Sequence, residues 1–340
     1  MTQNSEISAL RRLSARIGRD PTLVQGAGGN ISIKLGDTLW IKASGTWLAD
    51  ADRDDILVPV MLPVGDRPIV HPDATTPLRP SIETTLHAAL PHRVVVHVHS
   101  VDAIAHAVRR DAADDLADRL TGLAWAWIPY RQPGPALAAA IVERLDRGGV
   151  DILVLANHGL VVAAPDVAGA AALLDATVAR LALAPRGVAP PSMRDLPPVT
   201  GYHAVDDPAV HGLAVDPIGY AIATGAPLYP DHVVFLGIAP LVVDAPSQIA
   251  GAIDALIAGG QPLPRWIVVR DRGVMIADDA LRGSDAMLRC LADVAARLPA
   301  AAGIETLTDA DVAALIDWDA ERYRRALAAP FAPANERLSR

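Results

Sequence analysis

A chain of 340 residues with 51% apolar and 20% charged side chains can bury a sizeable core, in one large domain plus a smaller one or in two comparable ones. Its net charge of −9 argues against a surface built for nucleic-acid phosphates, and no apolar run reaches the ~20 residues that span a bilayer. Cys290 is the only cysteine, so no intrachain disulfide forms and a reducing cytoplasm is the natural compartment.

Residues 1–20 carry Leu10, Leu13 and Ile17 at helical spacing and predict an amphipathic helix. They lack the apolar core of a signal peptide. Gln25-Gly26-Ala27-Gly28-Gly29-Asn30 follows, then two alternating stretches, 31–35 and 38–42, joined through Gly36-Asp37 as a hairpin. Clustered glycines before a strand let backbone N–H groups point into one concavity, which suits an anion; a tight helix-to-strand turn explains them equally well. The hairpin brings Gly29-Asn30 and Ser44-Gly45 to one end of a sheet, which favours the anion pocket.

Residues 52–66 predict one or two strands broken by acidic and proline turns. Pro80-Ser81-Ile82-Glu83 then opens a helix running to Leu90, with Ser81 as the expected N-cap and Glu83 in the first turn. The run Val94-Val95-Val96-His97-Val98-His99-Ser100 places His97 and His99 on one face of a strand. Two imidazoles held by β-branched neighbours are either half a metal site or a hydrogen-bonded pair at a strand end. Residues 101–123 predict a helix, 125–130 a strand, and 135–145 a helix stopped by Gly148-Gly149. An apolar strand, 151–155, runs into Asn157-His158-Gly159, so His158 lies on a turn at a sheet end, where a third ligand would sit if the strands are neighbours. A helix over 168–183 closes this unit.

Five prolines between 185 and 200 mark a linker. Beyond it the pattern predicts strands at 233–236, 266–269 and 274–276, helices at 248–257 and 283–298, and further helices over 309–329.

In this order, Gly28-Gly29-Asn30-Ile31-Ser32, Ala43-Ser44-Gly45, Pro80-Ser81-Ile82-Glu83, Val96-His97-Val98-His99 and Asn157-His158-Gly159-Leu160 resemble the class II aldolase/adducin family over roughly residues 5–183. The resemblance implies an α/β fold, a three-layer α/β/α sandwich around a mainly antiparallel sheet, often assembled as a homo-oligomeric tetramer. It implies a divalent metal, usually zinc (Zn2+), on His97, His99 and His158, and Glu83 as catalytic acid/base. Gly29, Asn30, Ser44, Gly45 and Ser81 would hold the substrate's anionic group. The implied activity is a metal-dependent aldolase, a lyase that makes or breaks a C–C bond in a hydroxy-carbonyl sugar or sugar phosphate. Three neutral imidazoles leave zinc open positions for adjacent hydroxyl and carbonyl oxygens, and a Lewis acid there stabilises an enediolate. Epimerase or dehydratase chemistry would use the same groups. An adducin-like interaction protein would lack the histidine triad, which is intact here. Ile82 departs from the family, whose sugar-phosphate members commonly carry a second serine at this place. The tyrosine that some family aldolases use as a proton donor has no firm counterpart, Tyr130 being the candidate.

The expected organisation is therefore a catalytic domain over 1–184, a linker over 185–200 and a smaller α/β domain over 201–340. Setting 91–99 against 230–238, and 155–162 against 269–276, suggests that the last is a shortened, degenerate copy of the first, with Leu236, Ile238 and Arg272 in place of ligands.

Overall fold

The computed structural model describes residues 3–65, 68–187 and 196–329. In chain order, α1 (Gln3–Gly18) leads into β1 (Asn30–Leu35), β2 (Thr38–Lys42) and β3 (Leu57–Met61). The short α2 (Thr84–Ala89), β4 (Val94–Val98), α3 (Val101–Ala107) and α4 (Ala112–Arg119) follow. Then come β5 (Trp125–Ile128), α5 (Pro135–Leu145), β6 (Ile152–Leu155), β7 (Gly159–Ala164) and α6 (Val167–Leu181). The strands form one seven-stranded sheet in the order β3-β2-β1-β4-β7-β6-β5. Every neighbouring pair is antiparallel except β5 with β6.

Alternation assigns the strand residues to two layers. Val94, Val96 and Val98 pack with Leu10, Ile17, Ala103 and Leu174 on the side of α1, α3 and α6. Val95 packs with Leu86, Leu137 and Ile141 on the side of α2 and α5. Helices on both faces explain why the valines run on without polar interruption until His97. His97 and His99, in phase with Val95, face the α2 side.

A second unit follows. It contains β8 (Tyr202–Ala204), α7 (Gly212–Val215), α8 (Pro217–Thr224), a π-helical turn (His232–Leu236), β9 (Leu241–Val243) and α9 (Ile249–Ala258). After these come β10 (Trp266–Val269), β11 (Gly273–Ala277), α10 (Ser284–Arg297), α11 (Asp309–Asp317) and α12 (Asp319–Ala328). Its four strands are ordered β8-β11-β10-β9, with β9 parallel to β10 and the other pairs antiparallel. The edge β4-β7-β6-β5 of the large sheet has the same order and the same pairing senses. The turns β6–β7 and β10–β11 also match: Asn157 and Asp271 adopt left-handed φ values of 52° and 57°, each one residue before the position of His158 or Arg272.

The two units are not separated by a polar interface. Helix α3 serves both: Ala103 and Ala107 enter the first core, while Val101, Ile104, Ala105 and Val108 enter the second beside Phe235, Met287 and Leu291. Apolar burial on both sides of one helix, roughly 1.5–3 kcal/mol for each fully buried large side chain, makes the halves cohere. The partly buried pair Arg297–Asp102, at 2.6 Å, adds to that contact.

Several elements differ from the sequence pattern. The helix expected over 101–123 breaks at 108–111, because Arg110 N–H donates to Gly303 and Val108 accepts from Glu305 N–H. An isolated antiparallel bridge between Arg109 and Ile304 of the second unit thus claims that backbone. Residues 233–236 are helical, not extended. Every side chain there is buried, and a short apolar run carries no period that separates strand from helix. The carbonyls of Val234 and Phe235 accept from Arg265, and that of Phe235 also from Ser284 Oγ. β8, not 233–236, is the strand beside β11, so Leu236 and Ile238 do not occupy positions equivalent to the histidines of β4. Much of the expected linker, 188–195, lies outside the described residues. Arg186, within the linker, is tied to the second unit by paired bonds to Asp216.

Burial makes His232, near the contact between the two units, sensitive to acid. His232 is buried, its Nδ1 accepts from Leu228 N–H, and burial lowers its pKa from the ordinary 6.5 to about 4. Between those values only the unfolded chain takes the proton, so this term removes stability as pH falls, by about 3 kcal/mol over the whole interval. Denaturant unfolding near pH 7 and near pH 5 is expected to show a loss smaller in His232→Gln than in wild type by about 2 kcal/mol. Equal losses would show that His232 is not neutral in the fold.

Candidate metal centre

The site forms where β1 begins and β2 and β4 end, on one side of the sheet. Register places Asn30 opposite His97, and β4 pairs with β7 so that His97 lies opposite Val161 and Val98 opposite Leu160. This carries His99 to the β6–β7 turn that holds His158. Gly159 permits the approach, since a Cβ there would stand 2.5 Å from Val98 O. The turn itself needs the left-handed Asn157, whose side-chain amide donates to Leu228 O and Glu305 O, both at 2.9 Å. The second unit therefore holds the His158 turn in place.

His97, His99 and His158 are buried, and their ligand-capable atoms lie within 4.8 Å of one another. His97 Nε2 and His99 Nε2 are 3.1 Å apart, and Glu83 Oε1 is 3.5 Å from Nε2 of both His97 and His158. His97 Nδ1–H donates to Leu160 O at 3.1 Å, which leaves the Nε2 lone pair turned toward the cluster. Burial lowers the pKa of His97, and that of His158 to about 3, so both are neutral at pH 7, the form that binds metals. Glu83 is buried among the imidazoles of His97, His158, His99 and His87: burial opposes its charge, and the positive charge those rings carry when protonated lowers its pKa. Three convergent nitrogens beside a buried carboxylate fit a divalent ion with nitrogen ligands, zinc among them.

The cavity beside the histidines is lined by Gly28, Gly29, Asn30, Lys42, Ser44, Gly45, Ser81, Ile82 and Glu83, together with Pro230 and Asp231 of the second unit. Backbone bonds Ser44 N–H to Arg79 O and Ser81 N–H to Lys42 O draw the 42–45 and 79–83 segments together. Gly29 and Gly45 adopt left-handed φ values of 66° and 76°, which bend the chain around the cavity. Ser81 is not an N-cap: α2 begins at Thr84 with Glu83 at the cap, and Ser81 Oγ accepts from Glu83 N–H and from Asn30 Nδ2. That contact aims the 81–83 segment at the histidines. Asn30 Oδ1, Ser44 Oγ and Glu83 Oε1 are buried with no hydrogen-bond partner among the described residues, which marks the cavity as a place for a polar ligand.

Thus every residue expected at the site except His97 lines one cavity, and His97 lies behind it in the cluster with His99 and His158. Tyr130 does not line it; it packs against Val233, Leu307, Val312 and Leu315. Pattern reading passed over Lys42 and Asp231. Lys42 is 2% exposed and donates to Ala27 O at 2.9 Å; a lysine closing an apolar strand just before Ser44-Gly45 was the available signal. Asp231 is 2% exposed with Oδ2 3.0 Å from His99 Nδ1, and no local pattern pointed to it.

Residues 9–183 match the Class II Aldolase and Adducin N-terminal domain, and the chain belongs to that family. An uncharacterized oxidoreductase, YuxG, of Bacillus subtilis (strain 168) is 30% identical over 43% of this chain and 24% of its own length. A Nocardia farcinica protein described as a probable bifunctional methylthioribose-1-phosphate isomerase/methylthioribulose-1-phosphate dehydratase is 32% identical over 40% of this chain and 27% of its own. The chain thus spans about a quarter of the length of these curated relatives. Among solved structures, the N-terminal class II aldolase domain of a conserved Thermoplasma acidophilum protein is 25% identical, with a TM-score of 0.46, covering 53% of this chain and 94% of that one. Among the described residues no helix is long and apolar enough to cross a membrane.

The Asn157 turn yields a test of its own. Asn157→Ala places an alanine in the left-handed region, roughly 1–2 kcal/mol, and deletes two hydrogen bonds of about 1 kcal/mol each. Chemical unfolding should show a total loss of about 2–4 kcal/mol, with Asn157→Gly recovering the backbone share. Equal losses in the two variants would show that the left-handed turn carries no strain for alanine.

Proposed function

We propose that this protein is a metal-dependent lyase of the class II aldolase type, acting on a small hydroxy-carbonyl compound, a sugar or sugar-phosphate-like molecule. The observation that carries the reading is the meeting of three buried imidazoles with Glu83 at the inner end of a polar cavity. Zinc or another divalent ion on His97, His99 and His158 would supply Lewis acidity toward adjacent hydroxyl and carbonyl oxygens of the substrate. Glu83, ionised at neutral pH, accepts the proton of the carbon next to the carbonyl during bond formation and returns it during cleavage. Lys42, Asn30, Ser44 and Ser81 hold the anionic end of the substrate, with the bent backbone at Gly29 and Gly45 beside them. Ile82 presents an apolar side chain where a further donor would bind phosphate. A homo-oligomer in the cytoplasm, acting on a small molecule and not on nucleic acid or a membrane, completes the reading.

The similarity to the Nocardia isomerase/dehydratase favours a second reading, water elimination with the same residues, which could also serve an epimerisation. Product analysis separates the two, since only the lyase yields two carbonyl fragments. We read the second unit as a degenerate partial copy of the first, with Asp271-Arg272-Gly273 where Asn157-His158-Gly159 stands and no triad of its own.

Glu83→Gln should keep fold and metal content and lower turnover by ~10²–10⁴-fold. Near-normal turnover in a metal-loaded Glu83→Gln protein would remove Glu83 from the chemistry.

A second experiment addresses the anion pocket. Wild type is expected to accept a carboxylate or an uncharged end at least as well as a phosphate, and Ile82→Ser to raise kcat/KM for phosphorylated compounds selectively. A strong phosphate preference in wild type, unchanged by Ile82→Ser, would contradict the role given to Ile82.

A further inference from the structure

The second unit inserts one carboxylate into the histidine cluster. Asp231, outside the part of the chain that matches the family, has Oδ2 3.0 Å from His99 Nδ1 and is 2% exposed. It immediately precedes the π-helical turn, whose carbonyls are pinned by Arg265 and Ser284, so its position is set by a packed element.

A neutral imidazole carries hydrogen on one nitrogen and a lone pair on the other, and an ionised carboxylate only accepts. The Asp231 carboxylate, 3.0 Å from Nδ1 but not in a linear hydrogen bond with it, favours by its charge the tautomer of His99 with hydrogen on Nδ1, leaving the lone pair on Nε2, which faces His97 Nε2 at 3.1 Å. His97 is set in the same way by Leu160 O, a carbonyl of the large sheet. Gly28 keeps the space that the pair needs: a Cβ there would lie 2.9 Å from His99 Nδ1 and 3.1 Å from Asp231 Oδ2. His158 is positioned by its turn, which Asn157 fastens to the second unit. Of the three imidazoles, two thus depend on residues beyond the catalytic domain for their placement.

We propose that Asp231 is a positioning residue of the metal centre: it fixes the ring and tautomer of His99, so the second unit completes the site. The proposal rests on the metal reading given above. Partners of this kind typically change metal affinity by ~10–100-fold when removed.

The test measures Zn2+ affinity of the full-length protein by competition with a chromophoric chelator, in wild type, Asp231→Asn and Asp231→Ala. Visible spectra of the Co2+-loaded forms are recorded beside it. Both variants are expected to bind Zn2+ ~10–100-fold more weakly, with altered Co2+ bands, while metal-free Asp231→Asn melts as wild type does. Should Asp231→Ala fail to fold, Asp231→Asn, of the same shape, decides. Wild-type affinity and spectrum in Asp231→Asn would overturn the proposal and leave the triad standing. A wild-type protein that takes up neither ion would overturn the metal reading and this proposal with it.

Discussion

The antiparallel ladder between β4 and β7 is the constraint on which the site depends. It sets His97 opposite Val161 and carries His99, just past the end of β4, alongside Gly159, so two histidines on one face meet a third from a turn. The ladder holds only because both faces of β4 and β7 are covered, by α1, α3 and α6 on one side and α2 and α5 on the other. A side chain at position 159 would push against the carbonyl of Val98 and part the strands at the histidines. The chemistry thus rests on backbone register first and on side-chain identity second.

A cluster of neutral imidazoles and an ionised carboxylate out of water is costly to assemble, because polar groups taken from solvent lose their hydration. The fold offsets this by fixing the outer nitrogens and the supporting backbone: Leu160 O beside His97, Asp231 beside His99, and the doubly bonded Asn157 amide next to His158. The second unit supplies Asp231 and the two carbonyls, of Leu228 and Glu305, that hold the Asn157 amide. Helix α3, buried on both sides, makes that supply dependable by joining the two cores through a single rigid element.

Much of this was legible in the sequence because the informative signals are local. A His-x-His pair on a valine strand fixes a shared face, and Asn157-His158-Gly159 between two apolar runs marks a turn. The fold of the first unit followed from five such motifs in order. The second unit was harder. β8 and β9 are three residues each, too short for alternation to show, and α7 is a single turn. Residues 233–236, four apolar side chains buried all round, looked like a strand because neither period is visible in so short a run. Asp231 is far from His99 along the chain and belongs to no motif, so only the packing of the second unit on α3 brings the two together. The correspondence proposed for 269–276 follows the sheet order, while that for 230–238 does not, since the strand beside β11 is β8.

The measurement that bears most directly on the central claim is anomalous diffraction at the zinc edge from crystals of the full-length protein grown with Zn2+. The account predicts one strong peak per chain, bonded by Nε2 of His97, His99 and His158 at about 2.1 Å, with Glu83 beside it. A peak elsewhere, or none at this cluster at full zinc occupancy of the solution, would contradict it.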